Sequence, residues 1–345
     1  ISEKLFFRFE VLSSLNIQLK LLTPLEKKRS LKILFISLIS SLIEALGVSS
    51  VLPFIAVIAN PEIINNNYIF IYFSELLGIS TNNQFILLLA IIFLILLVVT
   101  LFMQAVVTYL YYKFIGSLDY TISKRVTSLH LNKPYSWFLD KNISEIGQGI
   151  LSQVSQVVQG SISPMLFAIN YLMVSFFIFC LLLIIDFKLA LGLTLSFVFI
   201  YFLINKFLLN VIKKTGNRRF DSDRERYFQI SETFSGIKEI KARDIENKHL
   251  LGYSKASKIF SESLATNFSL ATIPRYLVEA MAFVYLFAIV IYLLLEKGSI
   301  NNAAPAISLY AYSCYRILPN INKIYTNISQ IQFNKPQLLD LYLTF

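Results

Sequence analysis

Residues 85–102 read FILLLAIIFLILLVVTLF, eighteen positions without a charge. A helix of that length rises ~27 Å at ~1.5 Å per residue, close to the ~30 Å hydrocarbon thickness of a bilayer. A helix in a water-soluble core keeps a polar stripe over such a length, whereas this one is apolar all round. Its solvent is therefore lipid. Working outward, apolar stretches of similar reach occupy 31–58, 85–112, 162–185, 189–210, 271–295 and 303–330. Asn205 and Lys206 interrupt the fourth, which makes it the weakest of the set.

The basic residues divide sharply between the gaps. Of the 31 Lys and Arg, 25 lie in segments 1–32, 113–161 and 206–270, and only Lys188 and Lys297 fall between 59–84, 186–188 and 296–302. Lys and Arg accumulate on the cytoplasmic side of membrane proteins, so this split predicts cytoplasmic N- and C-termini and two long cytoplasmic loops. The net charge of +10 is then a footprint on an anionic inner leaflet. It does not imply nucleic-acid binding, because no soluble domain gathers the charges into a groove.

Composition excludes several other classes. Cys180 and Cys314 both lie inside apolar stretches, so neither a disulfide framework nor a metal-binding spacing exists. His130 and His249 are far apart and read as surface residues of cytoplasmic segments. Each predicted span lacks a carboxylate pair, which removes support for acid–base catalysis. Asn142-Ile-Ser, Asn267-Phe-Ser and Asn327-Ile-Ser match the glycosylation sequon by chance, lying on the cytoplasmic side. Residues 3–22 (EKLFFRFEVLSSLNIQLKLL) form an interfacial helix with Phe and Leu on one side and Lys and Arg on the other, within an N-terminal segment 1–30. No cleavable signal peptide is evident, and the first long apolar stretch serves as a signal anchor.

The two long inner gaps are poor in Gly and Pro, so the spanning helices continue far beyond the bilayer. About 17 extra residues project ~25 Å. Each gap then makes a stalk-like hairpin, broken from Asn132-Lys133-Pro134 to Gly149 in the first and around Gly236 in the second. Tips held that far from the membrane suit contact with a soluble partner that transmits movement.

At five places the chain resembles the transmembrane domain of ABC exporters. These are Ile43-Glu44-Ala45-Leu46-Gly47 with Leu52-Pro53-Phe54-Ile55; YSWFLDKNISEIG from Tyr135 to Gly147; IKKTGNRR followed by GIKEIKARD within 211–245; Pro274-Arg275-Tyr276-Leu277-Val278-Glu279; and Tyr315-Arg316-Ile317-Leu318-Pro319 with Asn320 and Ile321. More narrowly, it is similar to the PglK-type flippases of lipid-linked oligosaccharides. The resemblance implies an all-α membrane fold of six transmembrane helices over 31–330, with two long cytoplasmic helical hairpins. It implies a homodimer in a bacterial cytoplasmic (inner) membrane, in contact with membrane lipids and a lipid-linked glycan substrate. It also implies an ATP-binding domain, either the chain's own or separately encoded, that uses ATP and Mg. No Gly-rich phosphate loop is present and there are only 11 Gly. Residues 331–345 therefore read as the start of a linker towards that domain, and no catalytic site, metal or cofactor is expected in the chain itself.

By the same resemblance, Trp137, Phe138, Glu145, Gly236, Lys238, Ile240 and Arg243 mark the segments that couple to the nucleotide-binding domain, with Trp137, Phe138 and Ile240 as apolar anchors. In the outer gap, 68–77 is aromatic and too short to span, which makes it an external or interfacial helix. Tyr68, Phe70, Tyr72 and Phe73 there would engage a polyprenyl tail by resemblance, or merely cap the first two spans.

Charges inside the bilayer are expensive unless paired or hydrated, so they are the candidate substrate residues. Glu44 and Arg316 each lie ~20 Å along a span, from opposite ends, which puts their depths ~10 Å apart, within reach only if Arg316 extends or a water or substrate group bridges them. Arg316 either meets a diphosphate through its planar fork or locks helices through an ion pair with Glu44. Arg275 and Glu279, at i and i+4, either fix the fifth span locally or gate substrate admission. Three function classes are weighed: an ATP-driven exporter or flippase of a lipid-linked glycan or another lipid, peptide or drug; a channel or secondary transporter; and a membrane enzyme processing glycans. The second lacks matched Gly/Pro-broken repeats. The third lacks a carboxylate cluster, since 59–84 offers only Glu62 and Glu75.

Overall fold

The computed structural model describes residues 14–61, 64, 72, 81–139, 143–298 and 300–345. Every element among them is helical. After a helical segment at 14–21, the chain forms α1 (Pro24–Ser49), α2 (Val51–Ala59), α3 (Asn82–Leu131), α4 (Tyr135–Leu139), α5 (Ile143–Gln148) and α6 (Ser163–Ile185). It continues with α7 (Phe187–Ser235), α8 (Ile237–Arg243), α9 (Glu246–Thr272), α10 (Pro274–Lys297), α11 (Ile300–Phe333) and α12 (Lys335–Thr344).

Local chemistry sets the ends of these helices. Thr23 opens α1 with a capping box: its hydroxyl accepts from the Glu26 amide, and the Glu26 carboxylate accepts from the Thr23 amide at 2.7 Å. Pro24 stands in the first turn, where its missing N–H is harmless. Asp186 caps α7 by accepting from the Leu189 amide. Gly298, at φ 68°, ends α10 in the left-handed conformation that a side chain disfavours.

Among the described residues, five helical runs are long and apolar enough to cross a membrane: Pro24–Ala59, Asn82–Leu131, Ile146–Ile185, Phe187–Ile204 and Glu246–Glu296. The sixth expected span, 303–330, lies within α11, which has 34 residues but a weaker apolar composition. Asn301, Asn302, Arg316, Asn320, Asn322 and Lys323 dilute it, and Pro305 and Pro319 lie inside it. Large apolar side chains such as Leu94, Phe102, Phe176, Phe199 and Phe287 face outward, as lipid-facing surfaces require.

The expected hairpins are present. α3 has 50 residues and α7 has 49, lengths of ~75 Å, more than twice a bilayer core. The first hairpin turns through α4 and α5 and returns to α6 through two π-helical turns, Gly149–Gln153 and Val158–Ile162. The second turns at Gly236 through α8 and returns as α9, which packs along α7. Each π turn inserts an extra residue into the helix and rotates the face that follows.

Among the described residues two large cores hold the bundle, with a small third cluster of Val57, Ile64 and Phe85. One joins α6, α7, α10 and α11 through residues such as Ile178, Leu193, Ile289 and Leu309. The other lies towards the hairpin tips and joins Leu21 and Leu22, α3, the π-helical region and α12 through Leu118, Ile122, Val154, Leu338 and Leu341. Residues 331–345, expected as the start of a linker, thus complete α11 and dock as α12 inside this second core.

A buried polar joint holds α12 in place. Arg219 of α7 donates to Asn334 Oδ1 and to Gln156 Oε1, each at 2.8 Å, and its guanidinium lies 5.2 Å from the Phe333 ring centroid. Asn334 donates in turn to the Gly160 carbonyl at 3.1 Å, and Gln153 donates to Asp340 at 2.7 Å. Burial pushes the Arg219 guanidinium below its ordinary pKa, with Asp223 opposing the shift. It nevertheless stays charged at any ordinary pH, so its two acceptors are obligatory partners.

Candidate substrate site

Four helices converge on Glu44 and Arg316. Glu44 is on α1, Gln104 on α3, Asn170 and Tyr171 on α6, and Arg316 and Lys323 on α11. These residues line a cavity of about 260 Å³. Glu44 is only 3% exposed, and its Oε1 lies 3.7 Å from Arg316 Nη1. The other carboxylate oxygen accepts from Gln104 Nε2 at 2.7 Å. Arg316 also donates to the Tyr312 hydroxyl through Nε and Nη2, at 3.3 and 3.1 Å. Tyr312 stands one turn earlier on α11, so it orients the guanidinium from its own helix.

The two charges meet although counts along the spans put the residues ~10 Å apart in depth, a gap that an extended Arg316 side chain closes. Counting from span ends assumes that both helices meet the bilayer surface in one plane and run along its normal. The pair forms directly, without a bridging group.

Lys323 is the member that the sequence reading passed over. It lies seven residues after Arg316 on α11, two turns along one face. Its Nζ sits 4.8 Å from the Tyr171 ring centroid. A cation–π contact leaves the charge itself uncancelled. The cavity lining therefore contains two cations and one carboxylate, a formal charge of +1. An arginine and a lysine without enough carboxylate to neutralise them leave the cavity with a surplus of positive charge, a setting in which an anion is favoured. Beside it runs an aromatic series: Phe54 stacks on Phe93 at 5.9 Å, Phe93 meets Tyr312 edge-on at 6.1 Å, and Tyr312 stacks on Tyr315 at 6.2 Å.

The other candidates lie elsewhere. Arg275 Nε meets Glu279 Oε1 at 2.6 Å as an exposed i, i+4 pair on α10, and neither residue lines the cavity. At the first hairpin tip, Trp137 packs edge-on against Phe138 at 5.1 Å and lies 5.4 Å from the His130 ring, with Tyr135 and Leu139 exposed beside them. At the second tip Lys238 and Arg243 are exposed, while Ile240 is 4% exposed and turned into the hairpin. Ile240 therefore cannot be a surface anchor without unfolding α8; Ile237, one turn earlier, is the exposed apolar residue beside Gly236. Tyr68, Phe70 and Phe73 lie outside the described residues, as does the Glu145 side chain, and Tyr72 is exposed.

The family model of the ABC transporter transmembrane region matches residues 33–302, from within α1 to the first turn of α11. The chain belongs to that family. It is a multi-pass membrane protein carrying the transmembrane domain of an ABC exporter, which implies a lipid environment and a partner nucleotide-binding domain. Glu44 and Gln104 fall inside the matched region, whereas Arg316 and Lys323 lie beyond it. The cationic half of this ABC transmembrane domain's cavity therefore comes from the portion that the family model leaves unmatched.

Proposed function

We propose that this ABC transmembrane domain moves an anionic amphiphile across a bacterial cytoplasmic membrane, and that a lipid-linked diphosphate glycan is the substrate that suits it best. The observation that carries the reading is the cavity between α1, α3, α6 and α11 with its excess of positive charge. Arg316 offers a planar fork for phosphate oxygens and Lys323 a second cation two turns away. Rings flanking the cations give an acyl or prenyl chain an apolar path. α11 acts as the sixth span. The chain works as a homodimer with termini and hairpin tips on the cytoplasmic side, consistent with the distribution of Lys and Arg. ATP and Mg²⁺ belong to the partner domain.

The test is reconstitution with the nucleotide-binding domain in proteoliposomes, followed by translocation of two fluorescent probes, a polyprenyl diphosphate and the matching polyprenol. ATP-dependent movement of the diphosphate alone supports the reading. Equal movement of both, or of neither, overturns it.

Coupling is assigned to the tips. Trp137 and Phe138 stand together on α4 beside exposed Tyr135, and aromatic clusters of this kind carry much of an interface's energy. Phe138→Ala in the assembled transporter is expected to cut substrate-stimulated ATP hydrolysis about tenfold, the loss of one aromatic anchor, with the melting temperature retained. Unchanged stimulation would place the docking surface elsewhere.

A further inference from the structure

We infer that Glu44 is a tethered counter-anion, which the substrate's phosphate must displace from Arg316 and which reclaims Arg316 when the substrate leaves. This rests on the anion-site reading of the cavity. Three observations carry it. First, Glu44 and Arg316 come from different helices, α1 and α11, and meet at 3.7 Å, beyond the span of a direct hydrogen bond. The guanidinium is attracted by the carboxylate without being gripped in the bidentate mode that would make it hard to remove. Second, Glu44 has an alternative partner for its charge, because Gln104 donates to Oε2 at 2.7 Å. When Arg316 turns to a ligand, the carboxylate keeps one strong hydrogen bond instead of being stranded. Third, Arg316 is held from its own helix by the Tyr312 hydroxyl, so it can rotate about that contact without α11 shifting.

A transporter must release what it binds. Two cations facing one cavity with no internal carboxylate would hold a diphosphate tightly, the more so at Arg316, whose side chain is largely screened from solvent. A carboxylate on a neighbouring helix competes for one cation at very high effective concentration, which lowers affinity and speeds dissociation. It also sharpens selection against weakly charged lipids, since a ligand must out-compete a full carboxylate for Arg316. In this account Glu44 is a specificity-determining residue that need not touch the substrate.

The experiment measures binding and dissociation of farnesyl diphosphate, with farnesol as the neutral control, on the chain in nanodiscs. Wild type, Glu44→Gln, Glu44→Asp and Arg316→Ala are compared. Glu44→Gln keeps shape and hydrogen bonding but removes the charge. It is expected to tighten farnesyl diphosphate about tenfold, mostly through slower dissociation. Glu44→Asp keeps the charge and shortens its reach, so a smaller tightening is expected, and this variant serves if the glutamine form is poorly folded. Arg316→Ala is expected to lose diphosphate binding. If Arg316→Ala loses binding while both Glu44 variants bind as wild type or more weakly, the anion site stands and the counter-anion role falls. If wild type does not distinguish farnesyl diphosphate from farnesol, the anion-site reading itself falls.

Discussion

Arg316→Ala is expected to abolish ATP-driven movement of the diphosphate probe, with a loss of at least about a hundredfold, the scale of a buried charge-assisted contact. Two consequences of the substitution must be separated. Removing the guanidinium deletes the strongest anion ligand in the cavity. It also leaves Glu44, 3% exposed, with Gln104 as its remaining close partner. Breaking a buried pair by removing one member costs about 3 kcal/mol or more, because the survivor keeps its desolvation penalty. The double variant Arg316→Ala with Glu44→Gln removes that survivor's charge. It is expected to regain most of the lost thermal stability and none of the transport. Arg316→Lys should retain partial transport, since an ammonium supplies the charge without the planar fork. Recovery of transport in the double variant would mean that the pair is purely a helix lock.

The sequence made different parts of this molecule legible to different degrees. Spans such as 85–102 announce themselves because lipid imposes one rule on every position of a helix. The hairpin breaks were legible at Asn132-Lys133-Pro134 and Gly236, where backbone chemistry ends a helix whatever it packs against. α11 was legible as a helix but is weak as a span, partly because Arg316, Asn320 and Lys323, which line its cavity face, lower its hydropathy. Charge inside the membrane singled out Glu44 and Arg316, and the fold brings the two side chains to 3.7 Å, a contact that depends on helix tilt and side-chain extension, which no single-helix count contains. Lys323 was discoverable from its seven-residue spacing after Arg316. It sits near the end of an apolar run, where a lysine ordinarily snorkels to the interface and carries no site signal of its own. Ile240 shows the opposite failure: an apolar residue in a charged turn looks like a surface anchor, and only packing reveals that it faces inward. The Arg219 joint was not legible at all. Lys213, Lys214, Arg218 and Arg219 are equivalent in the string, and only the return of Asn334, more than a hundred residues later, selects one for burial.

That joint makes the second large prediction. A Cβ at Gly216 would lie 2.5 Å from the Phe333 carbonyl oxygen and 3.1 Å from its Cα and carbonyl carbon. These are backbone atoms at the end of α11, so no side-chain rotation relieves the clash. Gly216→Ala must push α11 and α7 apart just where Arg219, one turn on, holds Asn334, the residue after Phe333. Overpacking of this kind costs about 1–3 kcal/mol. Loosening the hydrogen bonds of a buried guanidinium adds about 1–3 kcal/mol more. Two other glycines calibrate the effect. Gly116 on α3 has nothing within 4 Å, and the nearest atom at Gly252 is the end of the Gln229 side chain, 2.9 Å away, which can swing aside. Alanine at either should be neutral or gain the ~1 kcal/mol by which it exceeds glycine in helix propensity. Thermal unfolding of the three variants in detergent micelles is therefore expected to rank Gly216→Ala well below wild type and the other two at or above it. Protease cleavage within residues 335–345 should also accelerate in Gly216→Ala alone, because α12 is docked through Asn334, Leu338 and Leu341. Equal melting and equal cleavage in all three variants would mean that α7 and α11 slide freely past one another, and the joint would then carry no share of the fold's stability.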